Sequence, residues 1–378
     1  MVAHMKAWVL HNINSIRYED VNVSLPGEKE VLVHVKAVGI CGSDIPRIYE
    51  TGAHKMPLIP GHEFAGVVEG IGQKVDTRWM GRRVGVYPLI ACGRCKPCLS
   101  GYMEMCRDYD YIGSRRDGAF AEYVIVPAEN LIEIPDEIPF EVAAMLEPMA
   151  VAVHAMMKGI GDSYSRLPLD NVVAVCGLGP IGMLIIGFLM DAGYQNVYAI
   201  GNRSGQRNRV ERAGLPADHY CDSTKKDPVE WIRSLTGGAD IYFDCTGRND
   251  SLIYGISGAA PGGRIVAVGN PHSDMALSRD VYWKILRNQL TIMGTWNSSF
   301  CGAELNNDYP RGYHEGYQDD WNYVMGRLIA NSGDGSVSNR IEPALLITHK
   351  FTLDSFDTAI SMMWNKTEDY CKVMITNE

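Results

Sequence analysis

Short apolar runs, broken by glycine and proline, fill roughly the first 150 residues of the chain. In VLVHVKAVGI, FAGVVEGIG, RVGVYPLI and FAEYVIVP, many apolar positions recur with the two-residue period of half-buried β-strands. The first helical pattern begins near Pro139, in FEVAAMLEPMAVAVHAMMKG. This part of the sequence therefore predicts a mainly β domain.

The pattern changes after Asp170. The run NVVAVCGLGPIGMLIIGFLMDAG combines an apolar strand, a glycine-rich turn and an apolar helix. VYAIG, DIYFDCTG and GRIVAVG are further apolar strands with helical stretches between them. Such a β-α-β alternation predicts a doubly wound parallel sheet that extends to TIMGTW, at 291–296.

The last part of the chain predicts a return to the first domain. ALLITHKFTL and KVMITNE have the apolar character of strands, and a helix precedes them. We therefore expect a β-rich domain over 1–157, a nucleotide-binding domain over 158–296 and a return segment over 297–378. The segment 300–318 resembles an insertion that caps the substrate pocket or enlarges a subunit contact.

The composition is that of a globular protein. With 378 residues, 46% hydrophobic and 21% charged, the chain is long enough for two domains with their cores. A net charge of −10 argues against nucleic-acid and anionic-membrane partners. No run approaches the roughly 20 apolar residues that span a bilayer, and no secretory signal is recognisable at the N-terminus. Ten cysteines in such a chain fit the reducing cytoplasm, which is the expected location.

Four cysteines lie close together with the spacing C-x2-C-x2-C-x7-C, and they are Cys92, Cys95, Cys98 and Cys106. Four neighbouring thiolates in a chain without a secretory signal indicate a tetrahedral structural zinc site. A disulfide pair or four unrelated buried thiols are the alternatives to a metal. An iron–sulfur cluster is the alternative to zinc, because it uses the same ligands.

A glycine motif follows the strand NVVAVC and opens a helix; its members are Gly177, Gly179, Pro180, Ile181 and Gly182. Glycines at this spacing let the backbone approach a pyrophosphate, and the helix N-terminus supplies N–H donors and a positive dipole. We therefore expect a dinucleotide site here. The alternative is a glycine turn without a ligand.

The next strand indicates which dinucleotide is bound. An NAD site carries an acid near the end of this strand, where Gly201 stands. Without that acid, Arg203 and its neighbours can bind a 2′-phosphate, so NADP(H) is expected in preference to NAD(H). The alternative is a solvated turn. The other residues expected to bind the cofactor are Asn202, Ser204, Val268 and Gly269.

A second set of metal-type ligands lies on either side of the four cysteines. Cys41 occurs in GICGSD, His62 and Glu63 occur in PGHEFAGVV, and Glu147 occurs in LEP. Thiolate, imidazole and carboxylate are the ligands of a catalytic zinc that keeps one position open. Because these residues are distant in sequence, their spacing is not diagnostic, and a lone histidine or glutamate in a strand-rich domain is more often structural than a ligand.

The motifs GICGSD, PGHEFAGVV, the four-cysteine run, DGAFAEYV, LEP and GLGPIG occur in that order. Together they resemble the zinc-dependent medium-chain dehydrogenase/reductase family over essentially the whole chain. The resemblance implies an α/β protein with a GroES-like β-rich catalytic domain over 1–157 and a zinc lobe at 90–108. It also implies a Rossmann domain over 158–296, an active site between the two, and two zinc ions per chain, one catalytic and one structural.

The resemblance also implies roles for single residues. Cys41, His62 and Glu147 match the catalytic zinc ligands, and Glu63 can replace Glu147 or a water molecule. Ser43 matches the hydroxyl group that takes the alcohol proton. Many relatives carry a histidine where Pro46 stands, so the proton route beyond Ser43 stays open.

CGSDIPRIYETGAH, YDYIGSRRDGAFAEY, LEPMAVAVHAM and WKILRNQLTIMGTW look like the galactitol-1-phosphate dehydrogenase branch of the polyol dehydrogenases. This implies hydride transfer between NADP(H) and a secondary alcohol of a polyol or polyol phosphate, or reduction of the ketose. The candidate substrate residues are Arg47, His54, Arg115, Arg116, Trp296 and Asn297. Alternatively, Arg115 and Arg116 brace a loop or form salt bridges with neighbouring residues.

The family resemblance leaves alternatives in substrate and function. A non-sugar ketone reductase is the second enzyme hypothesis, and a non-catalytic binding relative is a hypothesis of another class. This chain departs from that branch in two places: branch members carry an acid where Gly201 stands, and the segment 300–318 looks like an insertion. By analogy with the family, we expect a homodimer or homotetramer.

Overall fold

A computed structural model of the protein describes residues 4–161, 167–271, 273–302, 319–332 and 341–377. The strands are β1 (His4–Asn12), β2 (Ser15–Asn22), β3 (Glu30–Ile40), β4 (Glu63–Ile71), β5 (Arg83–Val86), β6 (Leu89–Ile90), β7 (Asp110–Tyr111), β8 (Tyr123–Pro127), β9 (Leu131–Glu133), β10 (Val173–Cys176), β11 (Val197–Gly201), β12 (Tyr220–Asp222), β13 (Ala239–Asp244), β14 (Ala259–Ala267), β15 (Thr291–Gly294), β16 (Ile347–Thr352) and β17 (Lys372–Thr376). The helices are α1 (Asp44–Pro46), α2 (Lys96–Leu99), α3 (Phe140–Ala143), α4 (Leu146–Ile160), α5 (Pro180–Asp191), α6 (Ser204–Arg212), α7 (Pro228–Thr236), α8 (Asn249–Gly258), α9 (Arg279–Arg287), α10 (Asp320–Ser332) and α11 (Phe356–Asn365). Within these described ranges, no helix combines the length and the apolar character needed to cross a membrane.

Six parallel strands form a sheet in the order β12-β11-β10-β13-β14-β15. Every residue of β10 and β11 is buried, as expected for central strands covered by helices on both faces. The strand order reverses between β10 and β13, and doubly wound sheets bind ligands beside such a reversal. The predicted Rossmann sheet is confirmed.

A second, mainly antiparallel sheet has the strand order β16-β17-β3-β4-β5-β9, and β8 also pairs with β3. Alternate residues of β3 are buried from Val31 to Ala37, which matches the period seen in the sequence. β17 pairs antiparallel with β3, with Val373 opposite Ile40, so the end of the chain lies in the sheet of its beginning.

Helix α4 joins the two sheets. It packs on α5 and α10, and it also contacts β4 of the second sheet and β13 of the parallel sheet. One apolar cluster contains residues of both sheets and of this helix. The predicted boundary at residue 157 falls within α4, and the three-part division of the chain stays a prediction. Most of the expected insertion, 303–318, lies outside the described residues.

Candidate metal centre and cofactor site

Three of the expected catalytic ligands meet where β3 ends and β4 begins. Cys41 directly follows β3, His62 directly precedes β4, and Glu63 is the first residue of β4. The antiparallel pairing places Gly39 opposite Glu63 and so brings the two ends together. One ligand atom each from Cys41, His62 and Glu63 lies within 4.8 Å of the other two. Hydrogen-bonded pairing alone therefore assembles a thiol, an imidazole and a carboxylate.

The environment of these groups fits a bound cation. Burial first, and then the nearby carboxylates of Glu63 and Asp44, raise the pKa of the Cys41 thiol to about 12. Nδ1 of His62 is buried and has no hydrogen-bond partner among the described residues, and Oδ1 of Asp44 is 3.7 Å away. A divalent ion would stabilise the thiolate and offset the negative charge. The donor set therefore fits a catalytic zinc.

The fourth expected ligand, Glu147, lies in the first turn of α4. Its Oε1 accepts a hydrogen bond from the hydroxyl group of Tyr111 at 3.3 Å. Burial raises the pKa of Glu147 to about 7, Glu63 acts in the same direction, and His62 opposes them. The set of ligand atoms within 4.8 Å of one another contains Glu63 and does not contain Glu147. In this arrangement Glu63 is the carboxylate nearer the centre.

Lys372, the first residue of β17, was not among the residues expected from the sequence. Its Nζ donates hydrogen bonds to Oε2 of Glu63 and, at 3.1 Å, to the carbonyl oxygen of Ile40. Burial alone would lower the pKa of Lys372, but Glu63 and Cys41 outweigh this effect and raise it. A bound zinc ion and Lys372 would therefore compete for Glu63. The signal in the sequence is a single lysine at the start of the apolar run KVMIT.

The turn that follows Cys41 is fixed by Asp44. Asp44 is fully buried, and its carboxylate accepts hydrogen bonds from the backbone N–H of Cys41 at 3.0 Å and from Arg47. Oγ of Ser43 donates to Sγ of Cys41 at 3.3 Å. Ser43 therefore lies beside the centre as expected, whereas Arg47, expected near the substrate, pairs with Asp44.

The four cysteines at 92–106 come together in a separate lobe, and their sulfur atoms lie within 4.8 Å of one another. Sγ of Cys95 is 3.4 Å from that of Cys98 and 3.9 Å from that of Cys106. The two sulfur atoms of a disulfide are about 2.0 Å apart, whereas the sulfur atoms of thiolates around one zinc ion lie about 3.8 Å apart. The spacing has room for one ion and no room for a multi-iron cluster. The backbone N–H groups of Arg107 and Cys98 lower the pKa of Cys95 to about 6, which favours the thiolate form that binds metal.

The glycine motif lies between β10 and α5. Gly177 has a φ of 94°, which an L-residue rarely adopts. A Cβ atom added at Gly182 would lie 2.0 Å from the carbonyl oxygen of Gly177, so Gly182 allows the helix to pack closely. A Cβ atom at Gly179 would meet no atom of the described residues within 4 Å, and this open side can receive a ligand. The three glycines fit the pyrophosphate site of a dinucleotide.

The other expected cofactor residues lie along the same edge of the parallel sheet. Gly201 ends β11, and the exposed residues Asn202 and Arg203 directly follow it. The hydroxyl group of Tyr220, in β12, donates to the backbone carbonyl of Arg203 at 3.5 Å. Of the remaining expected residues, Ser204 begins α6. Val268 and Gly269 lie beside the end of β13, because their backbone N–H groups both donate to the carbonyl oxygen of Asp244 at 2.9 Å. No acid occupies position 201, which leaves room for a 2′-phosphate near Arg203.

The candidate substrate residues are not brought together. Arg116 pairs with Glu30 at 2.8 Å and lines a groove of about 440 Å³ that contains none of the metal-centre residues. His54 is exposed, and so is Trp296. The side-chain amide of Asn297 donates to a backbone carbonyl of the four-cysteine lobe at 3.5 Å.

Arg115 has different surroundings from the other candidate substrate residues. Its guanidinium lies 4.4 Å from the ring centre of Tyr109, and its buried Nε has no hydrogen-bond partner within the described ranges. Tyr109 contacts Tyr111 at 6.2 Å between ring centres, and Tyr111 contacts His62 at 5.8 Å. A row of rings therefore connects Arg115 with the metal centre.

Comparison with known proteins agrees with this architecture. Residues 27–136 match the alcohol dehydrogenase GroES-like domain, and residues 180–313 match the zinc-binding dehydrogenase family. Galactitol 1-phosphate 5-dehydrogenase of Escherichia coli (strain K12) is 32% identical over 278 residues, which are 74% of this chain and 79% of that protein. L-threonine 3-dehydrogenase of Symbiobacterium thermophilum is 32% identical over 353 residues, 91% of this chain and 90% of that protein.

Solved structures show the same fold over the whole chain. A protein from Sinorhizobium meliloti 1021, described as a zinc-binding dehydrogenase bound to NADP, has a TM-score of 0.84 and 26% identity, with all of both chains covered. Galactitol-1-phosphate dehydrogenase from Escherichia coli has a TM-score of 0.82 and 28% identity, covering 99% of this chain and 100% of that one. The chain belongs to the zinc-dependent medium-chain dehydrogenase/reductase family, in its polyol dehydrogenase branch.

Proposed function

We propose that the protein is a zinc-dependent, NADP(H)-linked oxidoreductase that interconverts a secondary alcohol of a polyol phosphate and the corresponding ketose phosphate. The observation that carries this proposal is the approach of Cys41, His62 and Glu63 to within 4.8 Å of one another. The similarity to galactitol 1-phosphate 5-dehydrogenase supports the substrate class. NADPH-linked enzymes usually act as reductases, so ketose reduction is the proposed direction.

The residues of the centre have separable roles in this reaction. A zinc ion held by Cys41, His62 and a carboxylate would supply Lewis acidity toward the substrate oxygen. Ser43 is proposed to take the alcohol proton during oxidation and to return it during reduction. Asp44 keeps Cys41 and its turn in place through the backbone hydrogen bond.

The cofactor residues are proposed to orient NADP(H) against the substrate. The open side of Gly179 and the N-terminus of α5 would receive the pyrophosphate. Arg203 would bind the 2′-phosphate, and the absence of an acid at Gly201 removes the charge that would repel it. The NADP bound to the Sinorhizobium meliloti protein supports this preference.

Arg115 supports a phosphorylated substrate. Arg47 and Arg116 are each paired with a carboxylate, so their charge is balanced within the protein. Arg115 has no ion pair among the described residues, and the rings of Tyr109 and Tyr111 connect it with His62. A phosphate group on the substrate would provide the missing counter-charge.

The proposal is tested by measuring turnover of NADPH and NADH with ketoses, ketose phosphates and simple ketones. We expect NADPH with a ketose phosphate to give the highest kcat/KM, and the Cys41→Ala variant to be inactive while it remains folded. Higher kcat/KM with NADH would contradict the cofactor preference. A kcat/KM for simple ketones equal to that for ketose phosphates would instead favour the ketone reductase hypothesis.

Two neighbouring arginines provide a matched pair for the substrate. Arg115→Gln is expected to raise KM for the phosphorylated ketose about 10- to 100-fold, the effect of losing a charge-assisted hydrogen bond, and to leave the unphosphorylated ketose unaffected. Arg116→Gln is expected to have little effect on either substrate, because Glu30 already pairs with Arg116. Equal effects of the two substitutions would exclude a specific role for Arg115.

A further inference from the structure

The first turn of α6 contains a buried glutamine beneath the proposed 2′-phosphate site. Gln206 is 7% exposed, whereas Asn202 and Arg203 just before it are exposed. Oε1 of Gln206 accepts hydrogen bonds from the backbone N–H of Asn202 at 2.9 Å and from that of Arg203 at 3.0 Å. One amide oxygen therefore holds the two consecutive backbone units that present Arg203 to the cofactor.

The same oxygen atom occupies the space of a side chain at position 201. A Cβ atom built on Gly201 would lie 2.6 Å from Oε1 of Gln206 and 2.9 Å from Cδ1 of Leu178. Contacts below about 3.0 Å cannot persist in a close-packed interior. Gln206 can move away only by giving up its hydrogen bonds to Asn202 and Arg203, which would leave those N–H groups without their partner.

We propose that Gln206 is a positioning residue that sets the cofactor specificity of this protein. Its amide oxygen aligns Asn202 and Arg203 for the 2′-phosphate, and the same atom excludes the acidic side chain that an NAD site would carry at position 201. This inference rests on the proposed NADP(H) function. It adds that Gly201 and Gln206 are coupled, so that the effect of a substitution at one position depends on the side chain at the other.

The alignment role is tested by binding, without turnover. The probes are adenosine 2′,5′-bisphosphate and 5′-AMP, which differ by the 2′-phosphate, and affinities are measured by calorimetry. Gln206→Ala is expected to weaken binding of the bisphosphate about tenfold, the loss expected for one or two hydrogen bonds, and that of 5′-AMP less than twofold. Asn208→Ala, an exposed position on the same helix, is the control and should change neither. Unchanged bisphosphate binding in Gln206→Ala would overturn the alignment role.

The steric role is tested by thermal unfolding without cofactor. Gly201→Ala is expected to lower the melting temperature, and the decrease should be smaller in the Gln206→Ala background, where the contact with Oε1 is gone. Equal decreases in both backgrounds would overturn the steric role. If the wild type binds adenosine 2′,5′-bisphosphate and 5′-AMP equally well, the NADP(H) proposal fails. The melting temperatures would still test the steric contact between position 201 and Gln206.

The two roles together predict the behaviour of a cofactor switch. Gly201→Asp alone should not increase NADH affinity in a fluorescence titration, because the new side chain collides with Gln206. Gly201→Asp combined with Gln206→Ala should bind NADH more tightly than either single variant. A gain of NADH affinity in Gly201→Asp alone, with the melting temperature unchanged, would show that Gln206 does not control this position.

Discussion

At the scale of single residues, the charge of Glu63 is balanced inside the protein by Lys372. Each of the two side chains is 2% exposed, so little water is available to stabilise either charge alone. Gly39 lies against this pair, since a Cβ atom added there would lie 2.4 Å from Oε2 of Glu63. Removing one partner of a buried pair costs more than removing both, because the other charge is left without compensation.

We therefore expect Lys372→Met to lower the free energy of unfolding of the metal-free protein by about 3 kcal/mol or more. The double variant Glu63→Gln/Lys372→Met should recover part of this loss, since no isolated charge remains. Stability is measured by chemical denaturation at a fixed protein concentration. Lys350→Met is the control, because Lys350 pairs with Glu141 at the surface and exposed pairs contribute about 0–1 kcal/mol. A Lys372→Met variant as stable as the wild type would contradict the expectation.

The sequence predicted the metal-centre residues unequally. Cys41, His62 and Glu63 occur in short motifs, and hydrogen-bonded pairing of β3 with β4 brings them together. Lys372 lies 309 residues after Glu63, and only the pairing of β17 with β3 makes them neighbours. The residues around Lys372 do not reveal which strand β17 pairs with. In the sequence, the signal for the role of Lys372 was therefore limited to a single lysine in an apolar run.

At the scale of elements, the four-cysteine lobe has little apolar core of its own. It contains the short helix α2 and lies between the two-residue strands β6 and β7, and Leu99 at its surface is 75% exposed. Such a segment cannot bury enough apolar surface to order itself, so a bound metal is expected to contribute much of its stability. Local spacing of the cysteines predicted this element, because all four ligands lie within 15 consecutive residues, 92–106.

Removing the lobe metal should therefore affect stability or assembly before chemistry. In Cys95→Ser, we expect the bound zinc to fall by about one ion per chain, and the lobe to become accessible to limited proteolysis. Arg94→Gln is the control, since Arg94 pairs with Asp108 on the exposed surface of the same lobe. Loss of hydride transfer in Cys95→Ser, with stability and subunit assembly unchanged, would contradict a structural role.

At the scale of the whole molecule, the parallel sheet ends in an exposed edge. Within the part of the chain that the structure describes, β15 pairs only with β14, and Ile292 on it is 43% exposed. Tyr282, Trp283 and Leu286 of the adjacent helix α9 are each about half exposed. An exposed edge strand beside apolar side chains is a ready surface for pairing with another chain. The family resemblance implies a homodimer or homotetramer, and we expect two copies of the chain to join at this edge.

Ile292→Lys should separate the subunits at this edge, because a buried unpaired charge disfavours the contact. The molar mass in solution, measured by light scattering after gel filtration, is expected to fall by half. Leu235→Lys, at an exposed apolar position of α7, should leave the mass unchanged. An unchanged mass for Ile292→Lys would place the subunit contact elsewhere or indicate a monomer.

The sequence predicted both sheets well, but it predicted less well how the two sheets pack together. The β-α-β rhythm and the glycine motif depend on neighbouring residues, and both predicted the parallel sheet. The joining of the two sheets by α4 depends on packing among residues such as Ala152, Phe188 and Tyr323, which a single sequence does not reveal. For the same reason, the scattered basic residues suggested a phosphate clamp, although Arg47 and Arg116 each have an acidic partner.

The position of β17 beside β3 has a consequence for synthesis. Ile40 leaves the ribosome 332 residues before Lys372, which corresponds to roughly 20 to 60 seconds of translation. The strands of the parallel sheet all lie between 173 and 294, so that sheet can form while β17 is still missing. During this interval Lys372 is not available to pair with Glu63. We therefore expect that the proposed zinc ion would meet no competition from Lys372 for Glu63 if it bound during synthesis.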